Sequence, residues 1–235
     1  QGGQILRICA SISAITHKPI RVGKIRAGRS NPGLSNQHLT GIQLVADMCN
    51  ASLQNCHFGS TELTFIPGVI SGGYFVANAK TAGSISLLAQ IALPVALFAP
   101  CETRFVLEGG TDALFAPPID YLTLVAKFYL EKMGANFTVK TIRRGFYPRG
   151  GGIVQLDIQS LEKPLKAITA TDFGKVSRVT GYAFTAGNTP EKISHQIQKE
   201  ATRLFKSSFN CPIDIGAYRE SNETSHGNIA TFQNR

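Results

Sequence analysis

The chain has 235 residues, 43% of them hydrophobic, which excludes disorder by composition and leaves room for a sizeable core in one or two domains. Lysine and arginine number 24 against 15 aspartates and glutamates, a net charge of +9, and a field of that sign favours nucleic acid, nucleotide or another polyphosphate as partner. The five cysteines are scattered, odd in number and without C-x-x-C spacing, which excludes a disulfide scaffold and a zinc-ligand pattern and points to reduced thiols.

Gly2-Gly3 lead into a helix predicted over 4–16, where Ile5, Leu6, Cys9, Ile12 and Ile15 recur at near-helical spacing. This start carries no signal-peptide pattern. Arg7 falls in the first turn, where a cation opposes the helix dipole, and an anion bound nearby would resolve that conflict. A strand is predicted over 19–25, and the most informative stretch, 26–39, follows it. There Arg26 and Arg29 flank a glycine, Pro32-Gly33 makes a turn, and a helix over 36–49 opens at Asn36, taken as its N-cap. No Asp or Glu occurs before Asp47. Guanidinium forks and the free N–H groups of a helix start are what a phosphate needs, so Arg26, Arg29 and that terminus are expected to converge on one anion; a solvated basic loop is the alternative. Strands are predicted over 53–58 and 62–66, joined by Gly59-Ser60-Thr61.

The longest apolar run, 85–99, contains Gln90 and Pro94 and is too short to span a bilayer, so no membrane partner is expected. It reads as a buried helix carrying Gln90 inward, either as a satisfied core amide or as a ligand contact, and Gly83-Ser84 before it support the second reading. Gly109-Gly110 and the turn-rich residues 111–118 precede a helix over 119–133. Gly134-Ala135 follow it as Asn50-Ala51 follow the earlier helix, 84 residues before. Strands over 137–142 and 153–158, with Gly150-Gly151-Gly152 at their turn, complete an echo that suggests duplicated α/β units sharing one core. The composition changes after Ser160. A linker over 161–171, a strand over 177–184 and a helix over 190–205 with Ile193, Ile197, Ala201 and Leu204 on one face come next, then a polar tail from Glu220 that promises little core. The expected domains are therefore a core over 1–171 and an unfinished α/β unit over 172–235.

Nine ordered segments resemble the RNA 3′-terminal phosphate cyclase family, its eukaryotic type most: 4–7, 25–29, 32–34, 37–39, 59–65, 81–84, 109–111, 116–117 and 145–152, the last reading Gly-Phe-Tyr-Pro-Arg-Gly-Gly-Gly. The likeness runs from residue 1 to about 160 and weakly to about 230. It implies an α+β fold of repeated α/β units, with helices packed on one side of small four-stranded sheets, interrupted by an inserted α/β domain. It also implies ATP-dependent conversion of an RNA 3′-phosphate to a 2′,3′-cyclic phosphate. A histidine attacks the ATP α-phosphate, AMP passes to the RNA 3′-phosphate, and the vicinal 2′-hydroxyl displaces it. The implied partners are ATP, RNA 3′-phosphate ends and a divalent metal, Mg or Mn. The implied location is the nucleoplasm, with the cytoplasm as alternative; oligomeric state stays open.

Carried over by motif, Gln90 and Pro117 match positions that contact the adenine nucleotide. Arg7, Arg26, Arg29, Gln37 and His38 match the polar cluster near the nucleotide and RNA phosphates. Two departures stand out. A metal-linked Glu of the family has no counterpart, and Gln1 stands where a Gly is usual. The family's nucleophilic histidine belongs to its C-terminal third, with an adenine-stacking Tyr and an Asp. None of the five histidines here matches its motif, so no catalytic residue is assigned, and a truncated cyclase that binds ATP without forming stable protein-bound AMP is expected. The competing readings are a non-catalytic ribosomal-RNA-processing relative, which the intact Gln37-His38-Leu39 and 81–84 motifs disfavour, and an enolpyruvyl transferase, whose signatures are not evident.

Overall fold

A computed structural model describes residues 2–221 and 227–234. Its first unit is α1 (Gly3–Thr16), β1 (Ile20–Val22), α2 (Asn36–Cys49), β2 (Ser52–Gln54) and β3 (Leu63–Ile66). The second is β4 (Gly73–Asn78), α3 (Ile85–Leu97), β5 (Thr103–Gly109), α4 (Ile119–Tyr121) with its π-helical continuation Leu122–Ala126, α5 (Lys127–Met133), β6 (Phe137–Arg143) and β7 (Gly152–Ile158). Then come β8 (Val179–Ala186), α6 (Lys192–Ser208), β9 (Ile213–Arg219) and β10 (Gly227–Asn234). The class is α+β, as the resemblance implies.

Three sheets form. The first is three-stranded and antiparallel in the order β1-β3-β2, the second four-stranded in the order β4-β5-β7-β6, and the third three-stranded in the order β10-β8-β9. β4 and β5 run parallel with α3 between them, a βαβ crossover, while β7 pairs antiparallel with both β5 and β6. α2 with β2–β3 and α5 with β6–β7 repeat one order, and Asn50 (φ 47) and Gly134 (φ 105) end the two helices in the left-handed region. One apolar core, including Leu6, Ile42, Met48, Phe65, Leu88, Phe105 and Phe137, fills the space between α1–α3 and the first two sheets.

Several local expectations change. β1 is shorter than predicted because Lys24 and Arg26 take positive φ, 52 and 51, and turn the chain. Ser35, not Asn36, caps α2. The strand predicted over 53–58 stops at Gln54, since Asn55 is left-handed at φ 57. β4 and β5 were not predicted; their Tyr-Phe-Val and Arg-Phe-Val-Leu runs lie beside glycines and an apolar helix that mask the strand signal. In α1 the buried face is Leu6, Ala10, Ser13 and Ala14, whereas Ile5 and Ile12 face outward. Apolar residues encircle this helix, and the small alanines decide the face because they let α3 approach, where the Ser11 hydroxyl donates to the Ile91 carbonyl at 2.7 Å. On α6, Ile193, Ile197 and Ala201 are half-buried but Leu204 is exposed. The polar tail is not without structure, since β10 pairs along the whole of β8.

A buried ionic knot joins the loop after β5 to the third sheet. Arg144 forks onto Asp120 at 2.8 and 2.9 Å, lies 3.5 Å from Asp112 and 3.6 Å from Glu220, and stacks on the Phe184 ring at 4.6 Å. The Tyr182 hydroxyl donates to Asp120 at 2.6 Å. Asp112 and Asp120 bracket the segment 113–119, so one guanidinium ties both ends of that loop.

Candidate nucleotide and RNA-end site

The N-terminus of α1, the loop 26–30 and the start of α2 enclose a cleft of about 840 Å³. Arg7, Arg26, Arg29, Gln37 and His38 all line it, together with Gly3, Leu87 and Phe115. The lining includes three arginines and no carboxylate, and among the described residues none of the three forms an ion pair. Burial lowers the pKa of Arg7. α1 enters the cleft with Gly2 as N-cap, no side-chain cap and no acid in its first turn, so its first N–H groups and its dipole oppose nothing negative.

Backbone geometry fixes the walls. Gly33 (φ 85) closes the loop against the next turn, where a Cβ would lie 2.0 Å from the Gly59 carbonyl oxygen. The Arg26 guanidinium donates to the Gly33 carbonyl at 3.1 Å and holds the same turn from inside. At Gly3 a Cβ would meet His38 Nε2 at 2.3 Å, so only glycine lets the imidazole reach the start of α1. Gln37 accepts from the Ser84 N–H at 2.8 Å through its side-chain oxygen. That bond ties α2 to the cap of α3.

His38 is a neutral donor. Its Nδ1 accepts from the Ser35 N–H at 3.3 Å and lies 2.7 Å from the Ser35 hydroxyl, in a capping box. An N–H can only donate, so Nδ1 is unprotonated and the proton sits on Nε2, toward the cleft. Burial first, then the charges of Arg26 and Arg7, push its pKa down to about 4. In the unfolded chain the ring titrates near 6.5, so the unfolded state binds the extra proton and stability falls as pH drops from about 6.5 to about 4. His38→Gln keeps a side chain able to cap Ser35 and removes that titration. Urea midpoints of the variant are expected to fall less over this window than those of the parent, and parallel profiles would contradict the assignment.

Beside the cleft lies an apolar slot of about 320 Å³, walled by Leu93, Leu97, Phe98, Tyr121 and Leu122, with Gln90 and Pro117 at its edge. Leu87 lines both spaces, and Arg7 Nε donates to Gln90 Oε1 at 2.9 Å across their boundary. Gln90 is thus not the inward-facing residue of α3 that was expected. It is exposed, while nearly every other residue of that helix is buried. Because arginine has no acceptor, the atom facing it is the amide oxygen, which leaves the Gln90 NH₂ to donate elsewhere. Pro94, four residues on, lacks the N–H that would bond the Gln90 carbonyl in a regular helix. The structure therefore brings Arg7, Arg26, Arg29, Gln37 and His38 into one cleft and sets Gln90 and Pro117 in an adjoining one.

The other described histidines lie away from this cleft. His17 ends α1 with Nδ1 3.1 Å from the Gly68 carbonyl oxygen, His57 sits 3.2 Å from that of Phe58, and His195 is on α6 beside Glu191; His226 is outside the described residues. Among the described residues no group of three or more His, Cys, Asp or Glu is placed to hold a metal ion, and no helix is long and apolar enough to cross a membrane. Phe115 and Leu87 were not singled out by the sequence, since an aromatic or leucine beside a turn reads as core.

Comparison with known proteins adds a family. The family model described as RNA 3′-terminal phosphate cyclase matches residues 1–223. A protein named RNA 3′-terminal phosphate cyclase from Pyrobaculum aerophilum is 39% identical over 214 residues, covering 91% of this chain and 61% of the relative. Proteins of the same name from Pyrococcus abyssi and Drosophila melanogaster are 40% and 43% identical, covering 91% and 86% of this chain and 62% and 56% of the relatives. The chain thus spans about three fifths of the length of the curated relatives it matches.

Proposed function

Because the chain belongs to the RNA 3′-terminal phosphate cyclase family, we propose that it supplies the ATP- and RNA-phosphate-binding part of an ATP-dependent cyclase, which converts an RNA 3′-phosphate to a 2′,3′-cyclic phosphate. The observation that carries this reading is the Arg7–Gln90 bond, which joins an apolar slot sized for a base to a cation-lined cleft sized for phosphates. The adenine enters the slot against the Pro117 ring, with the Gln90 NH₂ and the freed Gln90 carbonyl as donor and acceptor for its polar edge. The phosphates lie toward Arg7, with the RNA 3′-phosphate between Arg26, Arg29 and the start of α1. Phosphoryl transfer rests mainly on positioning and charge neutralisation, and three arginines without a carboxylate partner, with a neutral His38 donor, suit that task.

A divalent cation is implied by the resemblance, but the cleft lining is cationic and offers no carboxylate, a donor set that does not suit Mg or Mn. Such an ion would enter on the ATP phosphates. Neither is a nucleophile assigned: His38 Nδ1 is occupied by Ser35, and His17, His57 and His195 lie elsewhere.

Titration of the 235-residue chain with ATP and with short oligoribonucleotides tests this. ATP and a 3′-phosphorylated oligonucleotide are expected to bind, the latter more tightly than its 3′-hydroxyl counterpart, and incubation with α-labelled ATP is expected to leave no stable protein-bound AMP. Equal affinity for the two RNA ends would overturn the assignment of the cleft.

A further inference from the structure

Phe115 is the one large aromatic among the described residues lining the basic cleft. The residue is fully exposed, at 104% of the reference area, and its backbone holds φ 61, a region that bulky residues rarely occupy. Its loop is fixed rather than loose. Arg144 holds Asp112 and Asp120 on either side of it, the Thr111 N–H donates to the Gly145 carbonyl at 2.8 Å, and the Ile119 N–H donates to the Thr111 carbonyl at 2.8 Å. A strained backbone thus presents a ring that buries nothing, beside Arg7, Arg26 and Arg29.

A flat apolar face next to a cationic trough is how proteins take single-stranded nucleic acid: cations follow the phosphates, and bases stack on rings. We propose that Phe115 is a stacking platform for the base of the nucleotide that carries the RNA 3′-phosphate. This rests on the reading that the cleft receives that phosphate. The ATP base is not the occupant, because Phe115 lines the cleft and not the slot of Gln90 and Pro117. Every base has a face to stack, so the platform holds RNA ends of any sequence.

The test is a cycle between Phe115→Ala and removal of the base. A 3′-phosphorylated oligoribonucleotide and the same strand with an abasic terminal residue are titrated against parent and variant. Phe115→Ala is expected to weaken binding of the intact strand by roughly 5- to 150-fold, the range that stacking of one base spans. The abasic strand is expected to bind parent and variant alike, Phe115→Tyr to restore binding, and ATP affinity and melting temperature to stay unchanged in Phe115→Ala. Losses that add independently would show that the ring and the base do not meet, and a loss of ATP affinity alone would place the ring against the wrong base; either overturns the proposal. If the parent binds neither strand, the cyclase reading of the cleft fails and the stacking fails with it. If the parent prefers the 3′-phosphate and Phe115→Ala changes nothing, only the stacking is refuted.

Discussion

Arg144→Met is expected to destabilise the chain by about 3–5 kcal/mol, because it leaves a buried carboxylate without its charge partner. The Arg144 and Asp120 side chains are about nine-tenths buried, and the guanidinium makes two direct bonds to Asp120. Asp112 is more deeply buried still, and that burial raises its pKa even with Arg144 in place. The double variant Arg144→Met/Asp120→Asn is expected to recover part of the loss, as a direct pair requires. Urea unfolding of Arg144→Met, Asp120→Asn and the double variant checks this. Losses that simply add would mean that the knot is not a coupled unit.

Arg7→Ala carries the largest expected effect on binding. It removes a charged donor from the phosphates and releases the Gln90 amide that Arg7 orients, so ATP affinity is expected to fall by about 1.5–3 kcal/mol, roughly 10- to 150-fold. Arg29→Ala is expected to act on RNA by a similar amount through charge alone, and to reduce the dependence of RNA affinity on salt by roughly one phosphate contact. Titrations at two salt concentrations separate the cases. If Arg29→Ala binds RNA like the parent at both, the loop is merely solvated.

The cleft was legible because its members announce themselves locally. Arg26 and Arg29 sit at a turn before a helix start, where residue type and position alone suggest an anion, the absence of acids before Asp47 gives the sign of the field, and Gln37 and His38 came with the family resemblance. Gln90 stood out in the sequence as a candidate, but its direction did not. A lone amide in an apolar helix reads as pointing inward, whereas a helix buried on almost every side keeps its polar residue for the one opening. The ionic knot was not legible. Asp112, Asp120 and Arg144 lie up to 32 residues apart and meet only through the fold. No composition or period marks Phe115, since its significance lies in a backbone angle and an exposure. β4 and β5 were lost to the same limit, because a parallel strand is defined by a neighbour beyond an intervening helix.

A crystal structure of the chain with a non-hydrolysable ATP analogue would locate the nucleotide directly. The adenine is expected in the slot between Gln90 and Pro117 and the phosphates at the Arg7 side of the basic cleft. An adenine stacked on Phe115, or phosphates bound away from Arg7, Arg26 and Arg29, would contradict it.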